Sequence, residues 1–491
     1  MHWPSTIQPR LKKLKQHEHV LNRDYVLVWI RQTLRGEFNP AIDAAVLYGN
    51  RHGLPVVVYH GIDNRYPYAS ARLHTFVLQA SASMESRLSQ RQIRFCRHIR
   101  RPGKPSSNLV LKLTNRSAAL FVDYCNNDWL AQICQSVIET VDVPCWSVDT
   151  TRLVPGSMFE KKVATTKAFR SKHTSLREIF QVCTEEDTSP SVDKFSGPLP
   201  IEGDSLTEQQ TSETSQIIVD CIAQCDIDQA LPSSGQFPGD RGSALKRLKD
   251  ATVNIVARYK WTRNNASLPK STTRLSPYLH FGVLSPVEVA RAIEDADLHS
   301  AAKWKFLDEL LTWREHYHHL ADHSDSFASY LNVPRWARAT LDAHRNDERS
   351  QPYSLSELMH ARTSDATWNA AQLQFLCDGW MHNNLRMYWA KQIIKFRPSP
   401  EDAWATACYL NDRLSLDGRD ASTYGGIQWA FGHAKPAHRE SPIYGWVTTK
   451  TDSAICKRTD MSEWIEMQSN RSRPQLECPD SPPIQRYTKG I

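Results

Sequence analysis

Between residues 25 and 149, short apolar runs alternate with longer amphipathic ones. YVLVWI (25–30), LPVVVYHG (54–61), IRFCRHI (93–99), AALFVDY (118–124) and VPCWSVD (143–149) have strand length. NPAIDAAVLYGNRHG (39–53), ARLHTFVLQASASMESRLSQRQ (71–92) and WLAQICQSVIETV (129–141) lie between them and carry helical periodicity. Nearly continuous apolar strands are buried on both faces. The repeat therefore predicts a parallel sheet with helices on either side. No GxGxxG follows any of these strands, so a standard dinucleotide site in this half is unsupported.

The pattern then changes. Residues 184–242 are rich in Pro, Ser, Gly and acids and predict a connector with at most one short helix, SQIIVDCIAQ. From 243 to 464 the 3.6-residue period runs almost throughout, with helix starts at Ser285-Pro286 and Ser399-Pro400-Glu401-Asp402. Residues 465–491 are polar and Pro-containing and are expected to be a disordered tail. The expected fold class is thus α/β plus all-α. A Rossmann-like parallel-sheet domain spans 20–183, a connector 184–242, and a helical domain 243–464.

The 491 residues suffice for two cores, and 40% hydrophobic with 23% charged residues reads as soluble and globular. No apolar run approaches the roughly 18 residues of a membrane span. The N-terminus lacks the apolar core of a secretory signal, so a cytoplasmic protein is expected, or a nuclear one in a eukaryote. The 11 cysteines form no CxxC pair, which fits a reducing compartment. Cys221 and Cys225 stand four apart and read better as core thiols than as half a metal site. A net charge of +7 permits a nucleic-acid partner without demanding one. The 15 tryptophans are the larger departure: the indole offers stacking, one N–H donor and easy one-electron oxidation.

Three of them lie in WNAAQLQFLCDGWMHNNLRMYWAKQIIKF (368–396), which reads as one long helix. A core alone would be made of Leu, Ile and Val. Arg386 stands four residues after His382 and three before Trp389, within an apolar setting. The following stretch, CYLNDRLSLDGRDASTYGGIQWAFG (408–432), is dense in paired charges and turn residues, as binding loops are. TTRLSPYLHFG (272–282) places hydroxyls before a helix start, which suits phosphate oxygens or a plain N-cap. Glu309 and Trp313 share one helix face, a carboxylate beside an indole that suits a planar polar ligand. The run His316 to His319 has no carboxylate–histidine spacing, so no metal is expected.

Together LSPYLHFG, WNAAQ, MHxxxRMYWAK and YLND-(x4)-DGRD resemble the class II cyclobutane pyrimidine dimer photolyases. The interval from Trp368 to Trp389, 21 residues, fits that family, as do WARATL (336–341) and FRSKH (169–173). The resemblance is weak over about 8–184 and strong over 243–460. It implies an N-terminal antenna domain and a helical domain that buries a U-shaped FAD. It also implies light-driven repair of UV-damaged DNA, with the dimer flipped out of the duplex; a monomer is expected, since one enzyme suffices for one lesion. Whether an antenna chromophore, a deazaflavin or a folate, is bound stays open.

By position, Asn411 resembles the asparagine facing flavin N5, and Arg386 and Asp417 the ion pair beside the isoalloxazine. Tyr259, Thr273, Leu275, Ser276 and Asp420 resemble further cofactor contacts. Glu309 resembles the acid at the carbonyl edge of the dimer, and Trp313, Met387 and Trp429 the apolar walls of its pocket. Trp368 and Trp389 match two members of a tryptophan wire that refills oxidised flavin with electrons.

The chain departs from the pattern at several places. Phe396 stands where the wire's outer tryptophan belongs, so the electron exit is lost or moved, with Trp380 and Trp404 as the expected substitutes. Thr423 replaces a loop glycine, Leu414 stands where tyrosine is common, and HYHH and WAFGHAK replace the usual segments. Retention of the pocket residues favours repair. The altered loops and wire favour a cryptochrome-like flavin photoreceptor, and the 6-4 photoproduct is the alternative lesion.

Overall fold

A computed structural model describes residues 2–17, 22–182, 188–206, 211–433, 436–456 and 460–490. Six strands form one sheet: β1 (Leu11–Lys15), β2 (Tyr25–Ile30), β3 (Val56–Ile62), β4 (Arg94–Ile99), β5 (Ser117–Asp123) and β6 (Cys145–Val148). Their order is β1-β6-β5-β2-β3-β4. The five strands β2 to β6 are parallel, as the apolar runs imply, and every residue of β2 and β5 is buried. β1 was not expected. Its sequence, LKKLK, lacks an apolar run because it pairs antiparallel at the sheet edge, where lysines are tolerated.

Strand order reverses between β2 and β5, and ligands of open α/β sheets bind in the crevice beyond such a point. Here the chain's own Asp123 takes the anion position. Its carboxylate accepts from the backbone N–H groups of Arg31 (2.9 Å), Gln32 (2.8 Å) and Thr33 (2.7 Å). Three donors that could face a phosphate are therefore committed to an internal carboxylate.

The connector holds a helix, Thr211–Ala223, at the expected place. The helical half differs from expectation at both ends of its long motif. Residues 368–396 form two helices, Ala366–Asp378 and Asn383–Phe396, not one. Gly379 ends the first in the left-handed conformation (φ 69°), and the His382 side chain caps the second. The C-terminal segment, expected to be disordered, is packed. Helix Ser462–Ser469 lies on Ala366–Asp378, and Ile484–Tyr487 lies on Pro400–Leu414. Trp464, Leu476 and Tyr487 join the helical core and anchor a segment whose average composition is polar. Among the described residues, no helix is long and apolar enough to cross a membrane.

One buried cation joins the halves. Arg72, on helix Ala71–Gln90 of the α/β half, is 1% exposed. It donates to the carbonyls of Pro232 (3.1 Å), Phe375 (3.0 Å), Leu376 (2.6 Å) and Leu414 (2.9 Å). Burial pushes its pKa down to about 10, which leaves it charged at neutral pH. Arg72→Ala strands these carbonyls, and each lost partner costs about 1–3 kcal/mol before water compensates. We expect a loss of about 3 kcal/mol in unfolding free energy, read by urea denaturation, and a change under about 1 kcal/mol would contradict this stitch.

Candidate functional site

A cavity of about 260 Å³ opens in the helical domain. Its wall is built from sequence-distant elements: Tyr259, the turn Thr272–Ser276, Phe306 and Glu309, Trp380, Arg386, and the Asp417–Gly426 segment. Arg274 takes a left-handed φ of 53°, which turns the chain sharply into helix Ser276–His280. Ser276 Oγ accepts from Trp380 Nε1 at 3.2 Å, so the tryptophan forms the floor beside the hydroxyls. The Arg274 guanidinium lies over that indole, 4.9 Å from its centroid.

Two buried carboxylates face the cavity, and each has its own cationic or protonatable partner. Arg386 Nη2 donates to Asp417 Oδ1 at 2.9 Å, and Ser415 Oγ donates to the same oxygen. Burial raises the Asp417 pKa, but Arg386 and the hydroxyls of Ser276 and Ser415 outweigh it and hold the acid below its usual range. Asp420 pairs with His280 Nδ1 at 3.1 Å and His318 Nε2 at 3.5 Å. Against the opposing effect of burial, these histidines hold it well below the ordinary carboxylate range. His318 belongs to the HYHH run, so that run supplies a carboxylate partner inside the site.

Glu309 sits at the cavity edge in a π-helical turn, Asp308–Arg314, inserted within a longer helix. Such turns recur at functional sites. Its carboxylate is held by Lys305 Nζ (2.6 Å) and Arg263 Nε (3.4 Å) and stays about one-third exposed.

Nine sequence-predicted residues thus line one cavity: Tyr259, Thr273, Leu275, Ser276, Glu309, Trp380, Arg386, Asp417 and Asp420. Asn411 is not among the lining residues and packs against Gly418, next to Asp417. A Cβ added to Gly418 would come within 2.6 Å of the Asn411 carbonyl, so only glycine lets the loop lie this close. Asn411 Oδ1 and Arg386 Nε are buried without a hydrogen-bond partner. Trp313, Met387 and Trp429 are half-buried and lie outside this cavity. Their elements do pack together: Ala421–Gln428 contacts both Asp308–Arg314 and Asn383–Phe396, which in turn contacts the turn Trp429–His433.

The tryptophans separate into groups. Trp368 and Trp389 are fully buried and stacked, with centroids 6.2 Å apart and planes 7° from parallel. Trp368 Nε1 donates to the Trp389 carbonyl, and Trp389 Nε1 donates to Gln372 Oε1. Phe375 bridges toward the cavity, edge-on to Trp389 at 5.6 Å with the Arg386 guanidinium 5.0 Å above its own ring. Phe396 meets Trp368 edge-on at 5.7 Å and in turn meets Tyr353 at 5.0 Å. Tyr353 is half-buried, and its hydroxyl donates to Ser364 Oγ. Trp380 belongs to the cavity wall, and Trp404 packs on Tyr330 and Phe431. Among the described residues, neither makes a ring contact with the Trp368–Trp389 stack. Tyr353 was missed in sequence because it is distant in the chain and sits in no motif.

Lys391 secures the turn that carries Trp429. It is 1% exposed, and its Nζ donates to the carbonyls of Ala430 (2.7 Å) and Thr448. Burial, with a smaller contribution from Lys450, pushes its pKa down to about 7. Between that value and the unfolded value near 10.4, the unfolded chain binds more protons. The penalty for burying the charge is thus full below about pH 7 and fades as pH rises toward 10. Relative to Lys391→Met, the wild type should gain stability from pH 7 to 9 with a slope of up to about 1.4 kcal/mol per unit. Parallel urea denaturation of both proteins tests this, and identical pH profiles would refute it.

A family profile described as DNA photolyase matches residues 26–191. The chain is 28% identical to a deoxyribodipyrimidine photo-lyase of Methanothermobacter thermautotrophicus, over 93% of this chain and 97% of that protein. The Arabidopsis thaliana protein of that name is also 28% identical, over 88% and 86% of the two chains. Among solved structures, a class III photolyase from Agrobacterium tumefaciens aligns over 92% of this chain and 88% of its own with a TM-score of 0.63 at 18% identity. A Synechocystis cryptochrome aligns over 92% and 89% with a TM-score of 0.64 at 14% identity. Along most of its length the chain is thus similar in sequence to deoxyribodipyrimidine photo-lyases, and its two-part architecture is the photolyase/cryptochrome fold.

Proposed function

We propose that this protein is a deoxyribodipyrimidine photolyase of the class II, cyclobutane-dimer type, with FAD in the helical-domain cavity. The observation that carries the reading is the convergence of eight resemblance-implied residues on that cavity, around the buried Arg386–Asp417 pair. The residues fit the cofactor chemically. Arg386 Nε and Asn411 Oδ1 are a buried donor and acceptor in want of partners, and the Thr273 hydroxyl suits a phosphate oxygen.

When bound and reduced, FAD supplies a photoexcited electron that splits the cyclobutane ring and is then recovered. The chain's residues prepare for that. Arg386, fixed by Asp417, places a positive charge where negative charge accumulates on a reduced ring. Glu309 offers its carboxyl group to the polar edge of a flipped dimer. Lys305 and Arg263 hold that group in place until DNA arrives. Trp313, Met387 and Trp429 supply apolar and sulfur surface for stacking, worth about 1–3 kcal/mol per base. The mildly basic chain favours a DNA partner.

Trp368 and Trp389 carry electrons toward the cavity. Phe396 blocks the expected exit because phenylalanine resists oxidation. Tyr353, edge-on to Phe396 and hydrogen-bonded near the surface, is the better exit than Trp380 or Trp404.

The second reading is a flavin photoreceptor without repair, favoured by Phe396 in the wire. It is separated by chemically reducing the protein, so that the wire plays no part. Incubated with an oligonucleotide carrying one thymine cyclobutane dimer under blue light, the reduced protein should restore thymines that a dark control does not. Absence of restoration with FAD bound would move the assignment to the 6-4 photoproduct, or to sensing if that lesion also persists.

Trp368→Phe and Tyr353→Phe should each slow flavin photoreduction severalfold while leaving repair by pre-reduced protein unchanged. Transient absorption measures the first and dimer counting the second. Wild-type photoreduction in Tyr353→Phe would return the exit to Trp380 or Trp404.

A further inference from the structure

Asp412 follows Asn411 and is completely buried. Its carboxylate is satisfied by four uncharged donors. Oδ1 accepts from the Arg419 backbone N–H (2.9 Å) and from Asn411 Nδ2 (3.3 Å). Oδ2 accepts from the hydroxyls of Tyr424 (2.6 Å) and Tyr487 (2.9 Å). Tyr487 comes from the C-terminal segment, 75 residues downstream, and is itself 0% exposed. Burial and the Asp412 charge raise both phenols well above their ordinary range, so each stays protonated and donates. The Tyr487 oxygen lies 2.7 Å from that of Tyr68. With the Tyr487 proton committed to Asp412, Tyr68 is the donor of that pair.

The arrangement has a consequence for Asn411. A carboxylate accepts and cannot donate, so the amide must present its NH₂ end to Asp412. The end left over is Oδ1, the buried acceptor without a partner. A free acceptor complements a ring N–H and repels a ring lone pair. The flavin N5 carries a hydrogen when reduced and a lone pair when oxidised.

We propose that Tyr487 is a positioning residue for the flavin site: it holds Asp412, Asp412 fixes the Asn411 amide, and the fixed amide favours the reduced, N5-protonated flavin. This rests on the reading of Asn411 as the N5 partner. It makes the C-terminal segment part of the active site, although that segment does not line the cavity.

The test is an anaerobic redox titration of the FAD-loaded full chain, followed by flavin absorbance. Tyr487→Phe keeps the buried ring and removes the hydroxyl. At a fixed potential it should lower the reduced-to-oxidised ratio about threefold to tenfold, about 15–30 mV for a two-electron couple. FAD content and melting temperature should change little, which separates positioning from a general loosening. Tyr424→Phe, acting on the same oxygen, should shift the ratio in the same direction and carries the test if Tyr487→Phe does not fold. In an Asn411→Leu background, Tyr487→Phe should have no further effect. An unchanged ratio in the FAD-loaded tyrosine variants overturns the proposal, as does a shift that persists without Asn411. Failure of the wild type to bind added FAD, seen before any titration, overturns the functional reading and this inference with it.

Discussion

Placing carboxylates inside a helical domain is expensive, and the architecture around residues 411–420 is organised by that expense. Asp412, Asp417 and Asp420 are all 5% exposed or less. An isolated buried carboxylate is untenable, so each must find donors within the fold. Asp417 draws Arg386 from the Asn383–Phe396 helix, Asp420 draws His280 and His318 from two further helices, and Asp412 draws Tyr487 from the chain end. Meeting these three demands brings together helices distant in sequence. The cavity is the space enclosed where they meet.

The same demands explain the close backbone packing. Arg419 adopts a left-handed φ of 61° within the loop, and its guanidinium reaches the carbonyls of Asp412, Ser415 and Leu416. Gly418 lies against Asn411 at a distance no side chain would permit. A loop held so tightly can present two ionised acids at fixed positions. That pre-organisation suits a site that must stabilise charge without rearranging.

The α/β half meets a related requirement differently. Its switch-point amides are closed off by Asp123, and among its contacts with the helical half are Arg72, whose partners are backbone carbonyls, and the ion pairs Arg152–Asp322 and Arg170–Asp308. The cavity lies in the helical half, with Trp368 and Trp389 stacked behind Phe375.

Much of this was legible in the chain. The apolar runs set the parallel strands, because full burial on both faces leaves no room for polar alternation. The residues that the resemblance singled out, Arg386, Asp417, Ser276 and Tyr259 among them, lie on one cavity wall. Other features were not legible. LKKLK became a strand only because an edge was available to pair with it. Gly379 broke a helix that periodicity alone would have continued. The polar tail became ordered through a few long-range anchors, Tyr487 among them, which average composition hides. Sequence determined which residue types were present and where local periodicity placed them. Only the tertiary structure decided which donor answers which buried charge, because that pairing depends on proximity between segments up to 75 residues and more apart.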